Sequence, residues 1–158
     1  GETVDTIPLD RLVGEGIVVD VSAKCAKDPD YQIGVGDLRA WEERHRRQLV
    51  DVIVLLRTDY GQRWPDARRY LGTDERGAEA VAKLHFPGLH PDAARWLVEH
   101  RRIKAIGIDT ASIDYGQSRT YGSHVTLFEH HVPALENVAR LDRLIAEVFR
   151  ERANGRDA

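Results

Sequence analysis

Three short apolar runs constrain the fold of this sequence more than any other feature. They lie at residues 17–21, 51–57 and 103–108, are rich in β-branched or aliphatic residues, and each ends at polar or turn-forming residues. Such runs are typical of buried strands. Segments with helical spacing separate them, and strands that alternate with helices form parallel sheets. The sequence therefore predicts a single α/β domain over residues 1–158, with functional residues in the loops that leave the strands.

Two helices are predicted from their start signals. Asp37 is predicted as the N-cap of a helix that ends near Arg47, with apolar residues at helical spacing. Pro91 is predicted as the first residue of a second helix, which ends near His100. The two helices would connect the three strands.

The remaining segments carry weaker patterns. They predict a surface excursion at 61–77, a turn at 86–89, a short strand at 125–128, a helix at 133–144, its extension over 145–152, and a frayed polar tail at 153–158. No repeat or linker divides the chain.

Composition excludes several classes of partner. The net charge is −3, and the densest basic stretch follows two glutamates, so no basic face predicts nucleic-acid binding. No apolar run approaches the roughly 20 residues of a transmembrane helix, so no membrane association is predicted. The single cysteine, Cys25, excludes an intrachain disulfide and favours a reducing, cytoplasmic compartment; we interpret it as a structural thiol. The chain has no Met, which favours a processed or partial product.

Residues 107–144 carry most of the side chains that could do chemistry. Asp109 and Thr110 follow a predicted buried strand, so their oxygens are expected to face a cavity. His124 and Glu136 follow, and imidazole and carboxylate are ordinary ligands of Zn²⁺ or Mn²⁺. From the residues alone, this pair is either a set of metal ligands or a structural, solvated pair.

The same block resembles the second half of the cyclase family of metal-dependent hydrolases, of the kynurenine formamidase and isatin hydrolase type. That family reads GIDT-x-SID-x-G-x-S, then a His, then LENL-x-x-LDRL. The matching residues here are Gly107-Ile108-Asp109-Thr110, Ser112-Ile113-Asp114, Gly116, Ser118, His124, Leu135-Glu136-Asn137 and Leu141-Asp142-Arg143-Leu144. Earlier matches include Leu55-Leu56-Arg57-Thr58, Trp64 and Phe86-Pro87-Gly88-Leu89, so the resemblance runs from about Glu2 to Leu144.

The resemblance implies a swivelling β/β/α domain with a mixed sheet flanked by helices, and hydrolysis of an aryl formamide or small cyclic amide. It implies that His124 and Glu136 bind a divalent metal, Zn²⁺ or Mn²⁺. Contacts with a small-molecule amide substrate are implied for Asp109, Thr110, Arg57, Trp64 and Phe86. Structural alternatives stay open for these five: a strand-end cap, an ion pair with an acid, or packing of the aromatic rings.

The sequence departs from the family pattern at both ends. The family signature HxGTHxDxPxH, which carries the main metal ligands and the catalytic His, does not occur in these residues. We therefore expect a domain incomplete at its N-terminus, and possibly at its C-terminus, whose catalytic residues lie in a complementary N-terminal segment. A homo-oligomer, dimer or tetramer, would cover its open sheet edges. The alternative is a non-catalytic, metal-free binding or assembly subunit with the same fold.

Overall fold

The apolar runs form neighbouring parallel strands in the computed structural model, which describes residues 3–144. The strands are β1 (Gly16–Asp20), β2 (Gln32–Ile33), β3 (Ile53–Arg57), β4 (Gly88–Leu89), β5 (Ala105–Ile108) and β6 (Ala134–Leu135). The main sheet has four strands in the order β1-β3-β5-β6, and a second sheet pairs β2 with β4. The helices are α1 (Leu9–Leu12), α2 (Ser22–Cys25), α3 (Val35–His45), α4 (Ala67–Leu71), α5 (Pro91–His100) and α6 (Gly122–Glu129).

The predicted α/β architecture is confirmed. All four described strand pairings are parallel, so the antiparallel part of the expected mixed sheet is not among residues 3–144. In this part of the chain no helix has the length and apolarity needed to cross a bilayer.

Burial alternates along β1 and β3, so the two faces of the sheet differ. Val19, Val54 and Leu56 point into the hydrophobic core and are at most 1% exposed. Their neighbours on the other face, including Val18 and Leu55, are only half-buried. Every residue of β5 is buried, as expected for a strand in the middle of a parallel sheet.

The two helices with start signals are confirmed. In α5, Pro91 occupies the first turn and the His90 ring accepts a hydrogen bond from the Asp92 amide at 3.1 Å. In α3 the N-cap is Gly34, so the prediction of Asp37 as N-cap is wrong. Asp37 lies in the first turn of the helix, and its side chain accepts a hydrogen bond from the Gly34 amide at 2.9 Å. It therefore satisfies the amide of the N-cap residue.

The strand predicted at 125–128 is wrong, because these residues belong to α6. A carboxylate from an earlier loop, that of Asp114, accepts the amides of Ser123 and His124 at the helix start. This contact satisfies amides that a helix N-terminus leaves without partners, and no local pattern in the sequence reveals it.

The helix predicted at 133–144 is also wrong for most of its length. Residues 134–135 form β6, and helical structure is restricted to residues 141–144. Asn137 and Arg140 have positive φ angles, which an α-helix does not allow. The Asn137 amide instead donates to the Thr110 carbonyl at 2.8 Å, so this segment follows the edge of β5. The predicted extension over 145–152 and the tail at 153–158 lie outside the described residues.

The two remaining segment predictions are partly correct. Residues 61–77 form an excursion with a 3₁₀ turn and α4, although Tyr70 and Thr73 within it are buried. The turn predicted at 86–89 is wrong for Gly88 and Leu89, which form β4. Position 88 requires glycine, because a Cβ atom there would come within 2.2 Å of the Tyr115 amide nitrogen.

We predict that Gly88→Ala destabilises the protein by about 1–3 kcal/mol or more, because the added methyl overlaps the backbone of the loop at residues 114–115. Gly36→Ala is the matched control, since its added Cβ meets nothing within 4 Å and lies in α3. That change should alter stability by about 1 kcal/mol or less, in the stabilising direction. Urea denaturation of both variants checks the prediction, and equal effects would contradict it.

Candidate functional site

The carboxyl ends of β3 and β5 meet at a buried carboxylate. Asp109 follows β5 directly and is 3% exposed. Its Oδ1 accepts the Thr58 amide at 2.8 Å and the Thr58 hydroxyl at 2.6 Å, where Thr58 follows β3. Burial raises the pKa of Asp109 above its usual value, although the hydrogen bonds from Thr58 act in the opposite direction.

A cleft of about 320 Å³ opens over Asp109. Trp64, predicted from the sequence as a substrate contact, lies on its wall with 66% of the residue exposed. Its ring meets the Tyr70 ring edge-on at a centroid distance of 5.7 Å. The described residues that line the cleft are Asp59, Gly61, Gln62, Trp64, Asp109, Ala139, Arg140, Leu141, Asp142 and Arg143. The volume lies near the lower limit for small-molecule sites.

Arg57 forms ion pairs with acidic side chains, which is the structural alternative that the sequence left open. Its guanidinium donates to Asp20 at 2.8 Å and to Asp59 at 2.7 Å, so it ties the end of β1 to the loop after β3. The side chain is 19% exposed. Its contact with a substrate stays a prediction.

Thr110 and Phe86 lie deeper than the other predicted contacts. Thr110 is fully buried, and its hydroxyl donates to the Ser112 carbonyl at 2.8 Å. Phe86 is 3% exposed and packs in the hydrophobic core. Neither is among the described residues that line the cleft, and their contacts with a substrate also stay predictions.

The structure brings His124 and Glu136 together. His124 lies in the first turn of α6 and Glu136 directly follows β6. The distance between His124 Nε2 and Glu136 Oε1 is 3.0 Å. Their side chains are 23% and 31% exposed, so both groups can be reached from solvent. The Ile113 amide donates to the same Glu136 oxygen at 2.9 Å and holds it in place.

Asp114 and Tyr70 belong to this region although the sequence predicted neither as a metal ligand or substrate contact. Asp114 Oδ2 lies 2.5 Å from His124 Nδ1, on the side of the ring opposite Glu136. The buried Tyr70 hydroxyl donates to Asn137 Oδ1 at 2.8 Å. Burial, with smaller effects from the charges of Asp109 and Glu136, raises the pKa of Tyr70 to about 12, so this phenol stays protonated. The Ser-Ile-Asp motif could have indicated Asp114, whereas Tyr70 lies outside every motif.

The charged groups near His124 do not by themselves form a complete metal site. Among residues 3–144, no group of three or more His, Cys, Asp or Glu side chains is arranged to hold one ion. His124 Nε2 and the Glu136 carboxylate can supply two ligands to one ion. Asp114 does not add a third, because it faces Nδ1, the other ring nitrogen.

The fold and these motifs define a member of the cyclase family. The cyclase family model matches residues 1–115, and the chain belongs to that family. Isatin hydrolase of Roseibium aggregatum is 30% identical over 147 residues, which cover 90% of this chain and 53% of the relative. The chain thus spans about half the length of this relative.

Two solved structures show the same fold. Isatin hydrolase A from Ralstonia solanacearum aligns with a TM-score of 0.79 and 33% identity, over 90% of this chain and 54% of its own. Isatin hydrolase A from Labrenzia aggregata, bound to benzyl benzoate, aligns with a TM-score of 0.78 and 32% identity, over 89% and 54%. The family resemblance and the cyclase-type α/β fold expected from the sequence are both confirmed.

A pH-dependent stability difference is predicted for Asp109→Asn. The folded-state pKa of Asp109 lies above its ordinary value of 3.8, so ionisation of this group lowers stability as pH rises from that value through the folded pKa. The asparagine oxygen can still accept both Thr58 bonds without carrying a charge. The free energy of unfolding of the variant, relative to the wild type, should therefore rise through this window and then level off.

Urea denaturation of both proteins between about pH 3 and pH 8 measures this difference directly. A difference that is constant across the range, or that falls with rising pH, would contradict a raised pKa for Asp109.

Proposed function

We propose that the whole protein is a divalent-metal-dependent hydrolase that opens the carbon–nitrogen bond of a small cyclic amide or an aryl formamide. The observation that carries this proposal is the 3.0 Å separation of His124 Nε2 and Glu136 Oε1. Membership of the cyclase family and the likeness to isatin hydrolases support the reaction class.

The pair has the chemistry of a metal ligand set. Bonds from Zn²⁺ to imidazole nitrogen and carboxylate oxygen are about 2 Å long, so two ligands on one ion lie roughly 3–3.5 Å apart. With Nδ1 donating to Asp114, Nε2 is the ring nitrogen that faces the Glu136 oxygen. At 3.0 Å the two atoms are within hydrogen-bond distance, and a divalent cation bound by both would take the place of the Nε2 hydrogen.

Zn²⁺ and Mn²⁺ both suit one imidazole and one carboxylate. Zinc takes about four ligands, so water and groups outside residues 3–144 must complete the set. We propose that these groups belong to a complementary segment with the HxGTHxDxPxH pattern or to a partner in a homo-oligomer, dimer or tetramer. When bound, the ion supplies Lewis acidity to the carbonyl and activates a water molecule.

The cleft over Asp109 is proposed to hold the organic part of the substrate. Trp64 offers an exposed aromatic face on its wall, and an aromatic ring fused to a cyclic amide, as in isatin, could stack there. The buried Asp109 carboxylate would accept a substrate N–H or retain a proton to donate. An isatin hydrolase A that binds the aromatic ester benzyl benzoate supports an aromatic ligand.

The alternative function, a metal-free binding or assembly subunit, is favoured by one observation. The described residues provide only a pair of candidate ligands and no cluster of three. Metal content and ring-opening activity of the purified protein separate the two functions.

We predict that His124→Ala lowers the affinity of the protein for Zn²⁺ by on the order of 100-fold or more, because one of two neighbouring ligands is lost. His100→Ala, an exposed histidine in α5, is the matched control and should leave the affinity unchanged. Isothermal titration with Zn²⁺ measures both. Equal affinities for the wild type and His124→Ala would remove His124 from the metal site.

We also predict that the whole protein, including the complementary segment, opens the ring of isatin with consumption of one water molecule, and that EDTA abolishes the activity. Added Zn²⁺ or Mn²⁺ should restore it, since the reaction depends on the bound ion. The loss of isatin absorbance over time is the measurement. A protein that binds no divalent metal and opens neither isatin nor an N-formyl aryl amine would instead support the binding subunit.

A further inference from the structure

We propose that Asp114 is a positioning residue for the metal site: it holds the proton on His124 Nδ1, so that the ring binds the metal through Nε2, the nitrogen that faces Glu136. The inference rests on the proposed function, because it gives His124 the role of a metal ligand. It assigns the orientation of that ligand to a carboxylate that touches neither the metal position nor the cleft.

The Asp114 carboxylate is rigidly placed. The residue is 2% exposed, and both of its oxygens accept backbone amides from the first turn of α6. Oδ1 accepts the Ser123 amide at 3.0 Å and Oδ2 accepts the His124 amide at 3.2 Å. The Ser123 hydroxyl donates to the Leu89 carbonyl at 2.7 Å, which anchors the start of the helix to β4. The carboxylate therefore cannot turn away from the ring without breaking the helix start.

The contact between Asp114 and the ring determines the tautomer. Oδ2 lies 2.5 Å from His124 Nδ1, and an ionised carboxylate is an acceptor only. Nδ1 must therefore carry a hydrogen, which leaves Nε2, 3.0 Å from Glu136 Oε1, as the ring nitrogen that would bind a cation. A carboxylate that binds Nδ1–H in this manner fixes both the tautomer and the ring orientation of a metal-binding histidine.

One dipeptide orients both candidate ligands. The Ile113 amide donates to Glu136 Oε1 at 2.9 Å, and the next residue, Asp114, holds His124. This dipeptide lies in the loop after β5 and packs against β4, where Gly88 leaves no space for a side chain. The separation of Nε2 and Oε1 is therefore set by a buried backbone segment that holds both exposed side chains.

A purely structural role, capping of α6, makes a different prediction. A cap contributes to stability but has no effect on the proton of the imidazole ring. The location of that proton is therefore the readout that distinguishes positioning from capping.

Asp114→Ala tests the proposal in the 158-residue protein. Nitrogen-15 NMR of labelled histidine, at a pH high enough to keep imidazole neutral, should place the wild-type His124 proton on Nδ1. In the variant this proton should move to Nε2, where Glu136 is the remaining acceptor. Calorimetric titration with Zn²⁺ should show an affinity about 10- to 100-fold lower than in the wild type, the usual effect of losing such a partner.

Asp37→Ala is the matched control, since Asp37 is also a buried carboxylate that accepts an amide at a helix start. It should lose stability without any change in the His124 proton or in Zn²⁺ affinity. If Asp114→Ala does not fold, Asp114→Asn replaces it. Its neutral amide keeps the shape and still removes the charge beside Nδ1, so the affinity should fall by at least about 10-fold.

The proposal is overturned if the wild-type proton resides on Nε2, or if the folded Asp114 variant keeps both the Nδ1 proton and full Zn²⁺ affinity. The proposed function fails in a different way. In that case Zn²⁺ leaves the His124 signals of the wild type unchanged, whatever the tautomer.

Discussion

The parallel pairing of β5 with β3 on one side and β6 on the other determines where the candidate groups at the strand ends lie. Parallel strands end at the same edge, so Thr58, Asp109 and Glu136 come to one side of the sheet. Because every residue of β5 is buried, this edge of the sheet is tightly packed. The hydrogen bonds between Thr58 and Asp109 connect the chain just beyond the ends of β3 and β5, and they hold a carboxylate where water is largely excluded.

His124 is the exception, because it comes from a helix and needs a separate device. Asp114 starts that helix and contacts the ring of the same histidine, so a single side chain places both the backbone and the imidazole. The partly exposed side chains of His124 and Glu136 are thus held in place by hydrogen bonds to buried groups. Support of this kind is typical of sites where small errors in ligand position are costly.

The strands and α5 could be predicted from sequence because their signals are local. Apolar runs form β1, β3 and β5, and Pro91 indicates the start of α5. The structure of residues 122–138 could not, because contacts with distant residues decide it. The Asp114 carboxylate caps α6 from an earlier loop, and hydrogen bonds to Ile108 and Thr110 hold the chain after β6 along the edge of β5. Short apolar segments with no strong period are ambiguous between helix and strand.

The site shows the same division between local and distant information. The family resemblance indicated His124 and Glu136, whereas their spacing in sequence does not reveal that their side chains lie 3.0 Å apart. Asp114 was visible as part of a motif, but its role depends on which ring nitrogen it faces. Tyr70 reaches the region from α4, an element with no family pattern, and only the folded chain shows it.

The alternating burial along β1 and β3 has a thermodynamic consequence. Val18, Ile53 and Leu55 are apolar but only half-buried, so full burial of each would contribute a further hydrophobic free energy of about 1 kcal/mol. Because this face is partly hydrated in the folded state, unfolding exposes less additional apolar surface. The heat capacity of unfolding is therefore smaller than it would be if the face were fully buried. Any layer that came to cover this face would gain that free energy without altering the strand register. One face of the sheet is therefore buried, and the apolar residues of the other face stay partly hydrated.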